Sequence, residues 1–161
     1  QFFIANFGGP YGVAAMLDTP TLVVNGAPIQ QPYMKYGGFI PKRLFQGDEE
    51  VNLLEVCADK PLSVDNNTPI HLSFNGAEFE QYGYHYLDNT EDEIFQAVVE
   101  FEQRVNNRVL DMTFTERQSA YYNALPDDFC HKNKCVIADS FLKEHEDTFQ
   151  LTNDNAAQIK K

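Results

Sequence analysis

Tryptophan is missing from this chain, positive charge is scarce, and no hydrophobic run is long. The shortage of cations excludes the most. Lys and Arg number 12 against 24 Asp and Glu, a formal net charge of -12, so nucleic acid would need an unusually segregated basic patch. Anionic lipid is repelled by the same charge. A single small anion is a different matter, because backbone N–H groups at a helix start can hold one without a side-chain cation. No apolar run reaches the roughly 18 to 20 residues of a membrane span, and Gln1-Phe2-Phe3-Ile4 lacks the basic start of a signal peptide. These absences predict a soluble, cytoplasmic protein. The cysteines, Cys57, Cys130 and Cys135, are odd in number and spread out, unlike a secreted disulfide framework, so reduced thiols are expected. Cys130, His131 and Cys135 suggest a metal clip, but a structural zinc site needs four ligands and no second pair follows. No metal is expected.

What is present is core-forming material. Hydrophobic residues make up 43% of 161, with 13 Phe and 8 Tyr, enough for one globular domain. The chain begins without Met and runs directly into an apolar, strand-like segment, which suits a piece of a longer protein. Phe2 to Ala5 reads as a strand, Asn6 to Pro10 as a glycine turn, and Tyr11 to Asp18 as a helix with Val13, Met16 and Leu17 at helical spacing. Pro10 suits a first helical position. Thr21 to Val24 is an apolar run without alternation, the pattern of a strand covered on both faces, ended by Asn25-Gly26. Together these predict a βαβ unit, in which ligands lie beyond the carboxyl ends of the strands.

Ala27 to Lys42 holds Pro28, Pro32, Gly37, Gly38 and Pro41 and reads as a long loop at that edge. A short helix is expected from Glu49 to Ala58, irregular surface from Leu62 to Glu80, and a strand near the sheet edge from Tyr82 to Leu87. Thr90 and Glu93 form a capping-box pattern, followed by Ile94, Val98, Phe101 and Val105 on one face, so a helix is predicted over Glu91 to Asn106. Further helices are expected over Glu116 to Leu125 and Asp139 to His145, the latter after the apolar run Val136 to Ala138. The tail from residue 150 to 161 is polar.

Three stretches in order carry a resemblance. The first holds Asn6-Phe7-Gly8-Gly9-Pro10-Tyr11-Gly12, Val24-Asn25 before Pro28-Ile29, and Phe39-Ile40-Pro41-Lys42. The second runs Leu87-Asp88-Asn89-Thr90 into Glu91-Asp92-Glu93-Ile94. The third is Glu116-Arg117-Gln118 to Asn123-Ala124-Leu125-Pro126, then Ile137-Ala138-Asp139-Ser140-Phe141-Leu142. Across most of residues 1 to 149 the chain resembles a family of bacterial glycosyltransferases associated with surface-polysaccharide synthesis, and specifically the C-terminal part of a two-domain GT-B enzyme. Family members carry a polar Thr, Asn or Ser ahead of the turn glycine; here only Asn6 offers a nearby side-chain donor.

The resemblance implies an α/β fold, a Rossmann-like parallel sheet with flanking helices, with residues 1–149 as part of the donor-binding domain. It implies a nucleotide-sugar donor, a glycan acceptor, no metal or other cofactor, and a missing N-terminal domain that supplies the catalytic base. The fragment alone is then inactive, and peripheral membrane association of a full protein fits the same family. Asn6, Gly8, Gly9, Tyr11 and Gly12 would contact the donor phosphates through a helix N-terminus; Asn25, Gly26, Pro28, Lys42 and Glu55 would contact nucleotide or sugar.

Each of these residues also has a plainer reading. The glycines can serve only a tight turn, Asn25, Gly26 and Pro28 an ordinary strand end, Lys42 solvent, and Glu55 or Glu50 a solvated acidic helix face. Asp88 and Asn89 read as helix caps, and no histidine shows ligand or nucleophile spacing. The alternative function is a non-catalytic α/β interaction module or a degenerate transferase remnant. A dinucleotide enzyme would need Gly-x-Gly-x-x-Gly, which Gly8 to Gly12 does not supply.

Overall fold

A computed structural model of the chain describes residues 1–6, 9–26, 37–52, 56, 80, 82–107, 115–124 and 135–149. Strand β1 (Phe3–Asn6), helix α1 (Gly9–Met16) and strand β2 (Thr21–Gly26) form the expected unit, β1 and β2 pairing in parallel from Phe3↔Thr21 to Asn6↔Val24. Strand β3 (Gly37–Pro41) pairs with β2, and β7 (Cys135–Ile137) pairs with β3, both in parallel. The result is a four-stranded parallel sheet, order β1-β2-β3-β7, flanked by helices. The chain is therefore α/β, compatible with a Rossmann-like fold. Strands β4 (Arg43–Gln46), β5 (Glu49–Glu50) and β6 (Tyr84–Leu87) form a separate antiparallel sheet, order β5-β4-β6.

Two expectations need correction. Gly37 to Pro41 is no loop but an interior strand buried along its whole length. Glycine and proline read as breakers, yet here the glycines make room: a Cβ on Gly38 would stand 2.9 Å from Cδ2 of Phe101. Pro41 falls at the strand end, where its missing N–H is tolerated. The helix expected from Glu49 begins instead as β5, paired with β4 through Phe45↔Glu50 and Gln46↔Glu49. Gly47, at φ +62°, makes the turn between them. Val56 is helical, while residues 53–55 and 57–79 lie outside the described set. The tyrosine-rich strand does lie at an edge, but of the antiparallel sheet.

Helix α2 (Glu91–Asn106) follows the sequence closely. Thr90 and Glu93 complete the reciprocal capping box, acids fill the first turn and Arg104 the last, the arrangement that suits the helix dipole. Ala97 and Phe101 are buried, with Ile94, Val98 and Val105 packed beside them. Full burial of a Phe side chain contributes about 1.5–3 kcal/mol. Helix α3 (Glu116–Ala124) packs near α4 (Asp139–Glu144) and the short α5 (Glu146–Phe149), joined by Tyr121, Phe141 and Phe149 with ring centroids 5.6 and 6.1 Å apart.

The two ends of the parallel sheet differ. At β7, Gln118 Nε2 donates to Ile137 O and the Tyr122 hydroxyl to Cys135 O, each at 2.7 Å, so α3 satisfies the strand's outward carbonyls. Burial pushes the Cys135 thiol up, keeping it neutral. At β1, Phe3 and Ile4 are exposed, as are Val13, Met16 and Leu17 of the adjoining helix segment. Among the described residues, no helix is long and apolar enough to cross a membrane.

Replacing Gly38 by Ala should lower stability by about 1–3 kcal/mol, because the Phe101 ring is itself buried and cannot step aside. Urea denaturation measures the loss, and a second substitution, Phe101→Leu, should recover part of it. An unchanged midpoint in G38A would show that β3 and α2 pack less closely than described.

Candidate functional site

Parallel strands deliver their following residues to one end of the sheet, and that end gathers several sequence candidates. Asn25 Nδ2 donates to Asn6 Oδ1 at 3.3 Å, which brings the ends of β1 and β2 together. The N–H of Lys42 donates to Gly26 O at 2.8 Å, adding the end of β3. Gly8, Pro28 and Glu55 lie outside the described residues.

Asn25 is no ordinary strand end. Its φ is +53°, a left-handed conformation that Asn tolerates better than most residues, and the register between β2 and β3 shifts beside it. Asn89 holds it there. The N–H of Asn25 donates to Asn89 Oδ1 at 2.8 Å, and the N–H of Asn89 donates to Asn25 Oδ1 at 2.6 Å. The Asn89 amide nitrogen then reaches Pro41 O at 2.7 Å. Asn89 is 7% exposed and caps nothing; Thr90, its neighbour, caps α2. Asp88 instead pairs with Lys42, Nζ to Oδ1 at 2.6 Å, so Lys42 has a protein partner at this edge. No local pattern could have revealed the asparagine pair, because its members stand 64 positions apart.

Helix α1 starts at this end of the sheet. Helix geometry leaves the leading N–H groups of Gly9 and Tyr11 without intrahelical acceptors, while Pro10 has none to offer; Gly12 adds no side chain to this turn. The Tyr11 ring turns inward and packs on the core, and burial, then Cys135, pushes its hydroxyl pKa up. Among the described residues nothing stands within 4 Å of where a Cβ on Gly9 or Gly12 would be, and neither has the positive φ that demands glycine. Each costs an exposed helix about 1 kcal/mol relative to Ala. With Tyr11, Val13, Ala15 and Met16 they line an open depression of about 460 Å³. The start of α4 is different: the N–H groups of Asp139 and Ser140 donate to the two carboxylate oxygens of Glu100, each at 3.0 Å. That helix start is occupied by the protein's own anion.

A second group of charges escaped the sequence reading. Glu50 lies on no helix; it is half-buried, and with Glu93 it brackets His145, while Arg43 lies beside both acids. Glu93, Glu144 and His145 offer ligand atoms within 4.8 Å of one another. The donor set does not suit a cation, because both imidazole nitrogens already face carboxylates and the Arg43 guanidinium stands 3.6 Å from Glu93. The sequence signal was faint: an acid in a capping box and a histidine far along the chain.

No family model, curated protein or solved structure matches this chain.

Asn89→Ala should cost about 2–4 kcal/mol, since it removes the two hydrogen bonds of the side chain and strands the Asn25 N–H and the Pro41 carbonyl. Asn25→Gly should cost less than Asn25→Ala, because glycine alone accepts the positive φ freely. Chemical denaturation of the three variants gives the order, and equal losses at position 25 would mean that backbone strain there is negligible.

Proposed function

We propose that this chain is the donor-binding, C-terminal part of a GT-B glycosyltransferase, which moves a sugar from a nucleotide-sugar to a glycan of a surface polysaccharide. The donor's pyrophosphate is held at the start of α1. One observation carries this reading: Gly9 and Gly12 are glycines that neither backbone angle nor any described neighbour requires. A helix that keeps two destabilising residues on its open first turns does so to let something approach its backbone. The N–H groups exposed there, with the helix dipole behind them, suit the charge that grows on a departing nucleoside diphosphate. They do so without metal. Asn6 adds an amide, and Lys42 can exchange Asp88 for phosphate. The resemblance of the three sequence stretches supplies the sugar-transfer chemistry, and it assigns the catalytic base and the acceptor site to an N-terminal domain.

One observation favours a second reading, an interaction module. Phe3, Ile4, Val13, Met16 and Leu17 are 37% to 79% exposed, and from Gln1 to Leu17 no side chain is charged. An uncharged apolar face on a chain of net charge -12 is where a protein partner meets least repulsion.

Isothermal titration of the chain with UDP and with GDP separates the two. Saturable binding of either is expected, and Gly9→Leu with Gly12→Leu should weaken it at least about tenfold, or about 1.4 kcal/mol. The same pair should leave the fold intact or firmer, by up to about 1 kcal/mol each. A folded double variant that binds as well as the parent removes the site from α1; no binding by the parent chain favours the interaction module.

A further inference from the structure

His145 stands between α4 and α5, 7% exposed, with the Phe141 ring 4.6 Å and the Phe149 ring 6.4 Å from its own. Nε2 lies 2.7 Å from Glu93 Oε1, and Nδ1 lies 3.0 Å from Glu50 Oε1. A carboxylate only accepts hydrogen bonds. Both contacts are therefore hydrogen bonds only while both ring nitrogens carry protons. The neutral ring keeps one bond and turns a lone pair on the other oxygen.

The two acids are not equivalent. Glu93 has a side chain 1% exposed, and its second oxygen accepts the N–H of Thr90 in the capping box. Glu50 belongs to a strand of two residues, with its side chain 22% exposed and Arg43 Nη1 3.9 Å away. On loss of a proton, Glu50 is the acid that can turn to water.

We propose that His145 is a proton-operated clamp, which holds the β4–β5 hairpin against the α4–α5 junction while its ring is doubly protonated and releases Glu50 when the ring is neutral. Among the described residues, the charged groups facing it are Glu93 from α2, Glu50 from β5 and Arg43 from β4, with Glu144 on α4 itself. Glu146 of α5 turns to Arg117 of α3 at 3.2 Å instead. Burial alone would lower the histidine pKa, but the hydrogen bond to Glu93 and the charges of Glu50, Glu93 and Glu144 outweigh it, so the net shift from 6.5 is upward. A raised folded value means that the clamp's stabilisation is complete below the unfolded pKa and is lost as pH rises through the folded one. Glu93 bounds the acid side. Burial raises its pKa, yet the bonds from His145 and Thr90 and the charge of Arg43 bring it below its ordinary value. Its contribution is lost as pH falls through that lowered value. The clamp is closed between these limits.

Val51 reports the opening, because its N–H donates to Leu44 O at 2.9 Å just beyond β5. NMR of the full chain from mildly acidic to alkaline pH should show the His145 ring doubly protonated beyond the ordinary histidine range. Val51 amide exchange, corrected for base catalysis, should accelerate several-fold through the same titration. Glu50→Gln should lower the ring's pKa and flatten the Val51 response; if that variant unfolds, the parent titration decides alone. A ring that titrates at or below its ordinary value, or a Val51 exchange rate that ignores the titration, overturns the clamp. Neither signal involves a nucleotide, so the clamp and the donor site fail separately.

Discussion

The exchange of hydrogen bonds between Asn25 and Asn89 is the constraint on which the arrangement depends. It joins the end of β2 to Asn89, just ahead of the Thr90 cap of α2, and the Asn89 amide ties both to Pro41 at the end of β3. A buried polar group left unpaired costs as much as several good contacts provide, so three satisfied bonds at one buried residue, two from its side chain and one from its backbone N–H, set the edge of the sheet firmly. Asn25 accepts a left-handed backbone to take part. Strain of this kind persists only where surrounding structure over-determines it, and here it stands beside Asn6 and the start of α1.

The legible parts of the chain were those in which local chemistry and packing agree. α2 is the clearest, since the capping box, the acidic first turn and the face of Ile94, Val98, Phe101 and Val105 all demand the same helix. The β1-α1-β2 unit was legible for the same reason. β3 was not, because Gly37 and Gly38 signal a turn when read alone and become strand residues only when Phe101 arrives from 63 positions away to occupy the space. β4 and β5 were hidden by their shortness. At the site, Asn6, Asn25, Gly26 and Lys42 carry a local signal and do meet, but Asn89 carries only the signal of a cap and His145 none. Both act through partners distant in sequence, where no spacing rule applies.

Charge gives the molecule its division of labour. Acids at the first turn of α2 and Glu100 at the start of α4 answer the positive ends of two helices from within the protein. α1 has no acid in its first turn, and its glycines keep its backbone accessible. In a chain of net charge -12, an anionic ligand must be drawn by local dipoles over short range against a repulsive long-range field. On the proposed reading, binding at α1 would strengthen as salt screens the chain's own acids, the reverse of a basic phosphate site.

The central claim is that the leading amides of α1 hold a pyrophosphate. The most direct measurement is a titration of the isotope-labelled chain with UDP, followed by the backbone amide resonances. The account predicts that Gly9, Tyr11 and Gly12 move most and saturate together, with Asn25 and Asn89 shifting little because their bonds stay intact. Saturation in which those three amides are unmoved and the largest shifts fall elsewhere would contradict it.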